Sequence, residues 1–284
     1  MEYATNQGGN VIPRSIILSA AFLLFFLTPV PSPAQVDDDE EPAASRQGWQ
    51  PSILVDCPTA GTLKRGSFDA IMRAYPNGGI LVATDIGLSN RLMLGISYGA
   101  EGIIAEERPI WNPRIEFNVK LSLVDETLVT PAISLGFCSQ GFGSYHENHP
   151  TLTTTRIERY TFKSKGFYVV GSKNYPVSRW QLGLHGGGNY SMEQEDGDKN
   201  LDFFVGFDTR LNKDVGWVME YDFATNDDKS GISFGRGKGY LNMAIQWLYA
   251  DNLVLEILLK NLNNNRRDAV DIWRGLRVTY VESF

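Results

Sequence analysis

Cysteine and histidine are scarce: the chain of 284 residues has 2 Cys and 3 His. Cys57 and Cys138 allow at most one disulfide. Export to an oxidising compartment would permit it, but one cysteine lies in a polar leader and the other in a strand, and two free thiols is the alternative. Two of the histidines fall in "HENH", His146 to His149, with no third strong ligand at regular spacing, so no metal is assigned. An excess of positive charge is missing as well. The formal net charge of −7 and a pI near 5.1 argue against nucleic acid as a partner.

The composition of a helical membrane protein is also lacking. Mean hydropathy is −0.20 and 21% of residues are charged, which excludes a polytopic helical protein. A transmembrane barrel is untouched by that exclusion, because its strands are apolar on one side only. No GxSxG motif occurs, and "GRGKG" (Gly235 to Gly239) lacks the strand-to-helix context of a phosphate loop, so it reads as an outer loop. His185, with Asn189 on the same strand face, reads as a lumen histidine rather than a general base. No cofactor is assigned, and the chain is expected to be non-enzymatic.

What is present leans toward β structure: 12% aromatic residues and 28 Gly. At the amino terminus, Arg14 precedes the apolar run "SIILSAAFLLFFL" (Ser15 to Leu27), and "SPAQ" offers a cleavage point after Ala34. Residues 1–34 are therefore expected to be a secretory signal peptide. The acidic run "VDDDEEPAAS" follows, and residues 35–57 are expected to be a disordered periplasmic leader, with the barrel in 58–284.

Alternation dominates the remainder. In "RIEFNVKLSL" (Arg114 to Leu123) apolar and polar residues alternate without exception. The same period recurs at Ser67 to Tyr75, Gly79 to Leu88, Leu92 to Gly99, Leu128 to Cys138, Tyr160 to Lys173, Trp180 to Tyr190, Asp202 to Arg210, Trp217 to Ala224, Tyr240 to Tyr249, Leu253 to Leu262 and Gly275 to Phe284. That predicts an all-β, transmembrane antiparallel meander barrel of about twelve strands of roughly ten residues. Connections after the first hairpin alternate long and short ("LSNR", "VDET", "NYPVS", "LNKDVG", "ADN" are the short ones), a rhythm a soluble sandwich has no reason to show. Aromatics cluster near strand ends, where interfacial girdles belong. Pro131 should lie at a bulge or just before a strand. "VATDIGLSNRLMLGISY" (Val82 to Tyr98) aligns without gaps to "VGFDTRLNKDVGWVMEY" (Val205 to Tyr221), an echo expected of amplified hairpins.

Projection of the strands inward yields a lumen set of Asp69, Arg73, Asp85, Arg114, Glu116, Lys120, Lys163, Lys165, Lys173, His185, Asp202, Asp208, Glu220, Asp222, Glu256, Lys260 and Arg277. Both signs are represented, so the lumen is either a salt-bridged plug or a selective pore. Lys163, Lys165 and Lys173 share a face of one expected strand; neutralisation of carboxylates such as Glu220 and Asp222 is favoured over binding of an acidic polymer.

"PTAGTL" (58–63), "NPRIEFNVKLSLVDE" (112–126), "TPAISLGF" (130–137) and "YTFKSKGFYVVGSKNY" (160–175) resemble the YjbH-type outer-membrane proteins. The resemblance implies a β-barrel associated with exopolysaccharide production and export, although this chain is much shorter than the better-known members. The final strand "WRGLRVTYVESF", with Leu276, Val278, Tyr280 and the terminal Phe284, is expected to be an assembly signal that closes against Ser67 to Tyr75. Glu282 should lie at the rim. The expected setting is the outer membrane, with both mature ends periplasmic. Expected partners are outer-membrane lipid, the barrel-assembly machinery and polysaccharide or export partners, the protein itself being a monomer. The leading functional expectation is an envelope-structural or exopolysaccharide-linked barrel; a passive or selective porin-like pore is the alternative, and a barrel hydrolase the third.

Overall fold

The computed structural model describes residues 51–105, 108–150, 152, 154–177, 180–229, 231–267 and 272–284. The expected signal peptide and most of the expected leader lie outside the described residues. The first half contains β1 (Ser67–Tyr75), β2 (Gly79–Gly87), β3 (Leu92–Glu101), the two-residue β4 (Ile110–Trp111), β5 (Glu116–Val124), β6 (Ala132–Cys138) and β7 (Phe142–Asn148). The second contains β8 (Arg156–Phe162), β9 (Gly166–Val177), β10 (Trp180–Tyr190), β11 (Asp202–Arg210), β12 (Val215–Asp222), β13 (Tyr240–Ala250), β14 (Leu253–Lys260) and β15 (Trp273–Ser283).

Twelve of these strands form one closed antiparallel ring in chain order, leaving out only β4, β7 and β8. The seam is the pairing of first and last strands, from Ser67 opposite Ser283 to Ala74 opposite Leu276. Closure leaves no free edge, a requirement where no water can satisfy backbone groups. Strand after strand turns apolar residues outward into exposure, among them Met72, Val82, Ile96, Phe117, Val169, Phe203, Ile245 and Ile257. The alternate positions, including Asp69, Asp85, Lys120, Glu220 and Glu256, are buried inside. An apolar exterior around a polar interior is stable only in lipid, so the chain is a transmembrane β-barrel. No helix of the described residues is long and apolar enough to cross a membrane; the strands cross it.

The echoed hairpins are structural copies. Asp85 stands opposite Gly95 as Asp208 stands opposite Val218, the same register displaced along the chain. In each turn one side chain, Ser89 Oγ or Asn212 Oδ1, accepts the N–H groups two and three residues on. β6 begins one residue after Pro131, as its missing N–H requires.

Three expectations need correction. The stretch Tyr160 to Lys173 is not one strand: β8 ends at Phe162 and β9 starts at Gly166. Gly166 adopts φ +59°, and a Cβ there would lie 2.2 Å from the Tyr190 carbonyl oxygen. Tyr190 pairs with both Gly166 and Phe167, so the inside–outside alternation resets at this bulge. Secondly, the stretch expected as an open loop before Tyr160 contains β7, which folds with β8 into a separate hairpin at the long-loop end. Thirdly, the expected disordered leader runs through Cys57, yet Leu54, Val55 and Cys57 are fully buried inside the ring.

Candidate functional site: a hairpin plug and its polar cradle

Residues 51–66 enter the lumen from the short-turn end and return to β1 as a narrow hairpin. Ile53 bridges Pro58, the Thr59 N–H donates to the Ser52 carbonyl at 3.1 Å, and the Leu54 N–H donates to the Cys57 carbonyl at 2.8 Å. Apolar side chains at the tip explain its burial. Leu54 and Val55 pack on Val218, Ala244 and Leu258. Inward-facing Gly206 makes room, because a Cβ there would sit 2.5 Å from Leu54 Cδ1. Cys57 and Ala60 pack with Tyr168, Val170 and Phe204, and Cys138 lies at the margin of that cluster. Both thiols are free.

The wall meets the hairpin backbone with charge. Glu220 accepts three successive N–H groups, those of Val55 at 2.9 Å, Asp56 at 3.0 Å and Cys57 at 2.9 Å, and takes Asn242 Nδ2 at 2.8 Å. Asp56, the carboxylate at the tip, pairs with Arg73 at 2.7 Å and with Lys260. Arg73 also donates to the Val55 carbonyl, and Arg277 donates to the carbonyls of Val55 and Leu54. Arg277 is itself fixed by Glu256, which accepts from Gln246. On the opposite side Lys120 donates to the carbonyls of Ser52 at 2.7 Å and Gly61 at 3.0 Å. Removal of one partner from a buried ion pair leaves the other charge uncompensated and typically costs about 3 to 5 kcal/mol, so each pair is sensitive to truncation.

A hydroxyl relay grips Ala60. Its carbonyl accepts Ser134 Oγ–H at 2.8 Å and its N–H donates to Ser172 Oγ at 2.8 Å. Ser172 lies 2.8 Å from His185 Nδ1, and His185 Nε2 lies 2.7 Å from Asp208. Ser172 Oγ, accepting from Ala60, can donate to Nδ1 when the His185 proton sits on Nε2 toward Asp208.

Of the expected lumen set, Arg73, Glu116, Lys120, Lys165, His185, Asp202, Glu220, Glu256, Lys260 and Arg277 are buried within the barrel. Asp222 takes Lys165 at 2.5 Å, with Asp202 behind it at 3.8 Å, and Asp208 closes the relay. Asp69 and Asp85 are direct cross-strand neighbours; Asp69 accepts the Asp85 N–H, and Asp85 accepts from Asn118. Three members lie elsewhere. Arg114 precedes β5 and is half exposed, paired with Glu116 and 5.9 Å from the Tyr145 ring centre. Lys163 belongs to the cap over the long-loop end, paired with Asp196 at 2.7 Å. Lys173 occupies the outward register with Val169 and is covered by the β5–β6 turn through Glu126. The three lysines thus never share a face, although each has a carboxylate partner, as neutralisation requires.

That cap is polar at its centre. Arg159 of β8 is fully buried between Asp196 at 2.8 Å and Asp227 at 2.6 Å. Beside it the loop residue Glu193 accepts the Tyr160 and Ser164 N–H groups. Burial pushes the Glu193 carboxyl up to about 7, against the pull of Arg159. His146 and His149 of "HENH" face Phe234 in the same cap. At the seam Leu276 and Tyr280 face outward, Val278 lies half-buried in the same register, and Phe284 stacks on Phe68 at 6.1 Å. Glu282 accepts a hydrogen bond from the Tyr280 hydroxyl.

Fold and site together define a transmembrane β-barrel whose lumen is occupied by its own amino-terminal hairpin. No family model matches the chain, and no curated protein does. Among solved structures it is similar to the KdgM porin, with TM-score 0.44, 14% identity, and 77% of this chain and 99% of that one covered. The NanC porin gives 0.41, 11%, 76% and 99%, and Omp33 of Acinetobacter baumannii gives 0.41, 6%, 77% and 97%. One of these structures is the KdgM porin in complex with disordered oligogalacturonate.

Proposed function

We propose that this chain is a porin-like channel of the outer membrane, held shut by its own hairpin. The observation that carries this reading is that residues 51–66 contribute no strand to the ring: β1 and β15 close the wall without them. About eight strands already enclose an interior that side chains alone can fill, so a ring of twelve leaves space that a separate segment takes up. In the outer membrane the hairpin would enter from the periplasm, where both ends of the mature chain lie, and the barrel-assembly machinery would read the β15 terminus.

A link to exopolysaccharide export is the second reading, and one juxtaposition favours it. "PTAGTL" is the returning limb of the hairpin, and it is gripped by Lys120, Ser134 and Ser172, which fall in the other three stretches carrying the YjbH-type resemblance. All four stretches thus meet at the seam between plug and wall in this chain. Hydrolysis has less support, because the hydroxyl of Ser172, the one serine beside His185, is already engaged by the Ala60 N–H of the hairpin. Liposome swelling tests the channel: vesicles carrying the full chain should admit arabinose slowly, and vesicles carrying Asp56→Ala, which leaves Arg73 and Lys260 unpaired, should admit it fast. No swelling with either protein would favour a structural barrel.

A further inference from the structure

The lipid-facing side of the ring is almost free of charge. Among the described residues of its twelve strands, the outward register carries three charged side chains, Lys173, Arg274 and Glu282. Lys173 is covered by the β5–β6 turn. Arg274 and Glu282 are exposed at opposite ends of one outward column of β15, the cation at the long-loop rim and the acid at the short-turn rim. The strand between them is about 26 Å long, or about 20 Å of height at the usual tilt, which places the two charges at the edges of the apolar band. Arg274 shares its row across the wall with Leu259, Met243 and Met219, all apolar.

Above that row two long loops are stitched together. The Arg236 N–H donates to the Asn265 carbonyl at 2.8 Å, the Lys238 N–H to Asn265 Oδ1 at 2.8 Å, and the Arg267 N–H to the Phe234 carbonyl at 2.8 Å. The outward Tyr221 hydroxyl donates to the Lys238 carbonyl at 2.6 Å, which holds Lys238 at the outer edge of the wall. Asp228 lies within electrostatic reach of Arg267, whereas the exposed side chains of Arg236, Lys238 and Arg274 have no carboxylate partner among the described residues. Asp268 and Asp271 of the neighbouring loop lie outside those residues. Stretch 229–239 itself contains Lys229, Arg236 and Lys238 and no acid, in a chain of net charge −7.

Only a molecule in the bilayer reaches Arg274 and the apolar row beside it, which sets aside a soluble polyanion. From β15 to β12 is three strand spacings, about 14 Å, so the ligand needs an anionic group at each end of a broad headgroup, with acyl chains between. A zwitterionic phospholipid brings one phosphate beside its own ammonium. A bisphosphorylated, multiply acylated glucosamine disaccharide, the lipid A of an outer leaflet, brings a phosphate at each end and chains beneath, and guanidinium groups match phosphate geometry.

We propose that the outer rim over β12–β15 is a lipid A site, in which Arg274 takes one phosphate, Lys238 and Arg236 take the other, and the row of Leu259, Met243 and Met219 takes the acyl chains. The assignment rests on the reading that the long loops face outward from the outer membrane, and it narrows the expected lipid partner to one headgroup.

Native mass spectrometry of the detergent-purified full chain counts bound lipid, and labelling in intact cells reads orientation, so the two ideas fail separately. The probes are bisphosphoryl lipid A, monophosphoryl lipid A, phosphatidylglycerol and inorganic pyrophosphate. One bisphosphoryl lipid A is expected per chain, held about fivefold or more tightly than either other lipid. Arg274→Gln and Lys238→Gln should each weaken it by about fivefold or more, and Arg274→Lys should restore part of the loss. Lys213→Gln, which removes an exposed cation from the short-turn rim, should change nothing. All four variants should keep the heat-modifiable gel shift of the folded barrel. Equal retention of phosphatidylglycerol, undiminished binding by Arg274→Gln, or displacement of lipid A by pyrophosphate would overturn the assignment. Failure of an impermeant maleimide to label Lys199→Cys in intact cells, with lipid A binding intact, would overturn the outward orientation and leave the phosphate site on the wall standing.

Discussion

The Glu220 carboxylate accepts the backbone N–H of Asp56 at 3.0 Å, joining β12 to a segment 164 residues earlier in the chain. The Asp56 side chain turns the other way, to Arg73 and Lys260. One residue thus ties its backbone to an anionic wall and its side chain to a cationic one. The hairpin is oriented by charge across the lumen, and its release needs both ties to break.

Glu220→Gln keeps the shape of the acceptor but removes its charge from three hydrogen bonds. Charge-assisted bonds of this type contribute about 1.5 to 3 kcal/mol each, and one weakened set should raise the open fraction of the barrel severalfold or more. The open fraction is measurable, in a Cys138→Ser background, as the rate at which a thiol reagent labels Cys57, which is fully buried while the hairpin is seated.

Leu54→Ala attacks the apolar hold instead. Truncation of a fully buried leucine costs about 2 to 5 kcal/mol, and Gly206 opposite leaves nothing to fill the gap. Labelling of Cys57 should accelerate while the heat-modifiable gel shift of the barrel stays unchanged, since the ring does not include Leu54.

The cap should respond to pH. Glu193 has its carboxyl raised from 4.5 to about 7 in the folded state by burial. Between those values the folded state holds the proton that the unfolded state has lost, so this group's contribution is full at low pH and is lost as pH rises through about 7. The loss amounts to about 3 kcal/mol at most. Protection of the β8 amides, taken as exchange relative to the intrinsic rate at each pH, should therefore fall from pH 5 to pH 8, and Glu193→Gln should flatten that dependence. A rise in protection over the same interval would show that Glu193 is charged when buried.

Deletion of Phe284 should impair assembly. It removes the Phe68 stack and the N–H donated to Gly66 at 2.9 Å, both at the seam where the ring closes. Folding into vesicles should slow, with unfolded chain accumulating on a gel; folding at the normal rate would show that these contacts of Phe284 are not needed for closure.

The wall was legible in the sequence because its period is imposed by lipid outside and charge inside. Ser67–Tyr75, Trp180–Tyr190 and Asp202–Arg210 were read to the residue, and the echo at Val82 and Val205 recurs as a shared register. Alternation misled where a bulge changed its phase. Across Gly166 the spacing of Lys163, Lys165 and Lys173 suggested one face, but a left-handed glycine put them in three settings. The hairpin was missed for a different reason. Its hydrogen bonds run to side chains far along the sequence, so "SILVDC" has neither strand period nor helix period, and only the apolar run beside an acidic leader hinted that it is buried. Ser134 and Ser172 carry no sequence signal of their own, because what distinguishes them is Ala60 lying between their hydroxyls.

Single-channel recording in planar bilayers tests the central claim most directly, comparing the full chain with Asp56→Ala and Glu220→Gln under identical salt. The full chain should be closed most of the time with brief openings, and both variants should show long openings of the same unit conductance, because the wall is unchanged and only the hairpin's residence differs. Steady full-size steps from the unaltered chain, or silence from all three proteins, would contradict a barrel gated by residues 51–66.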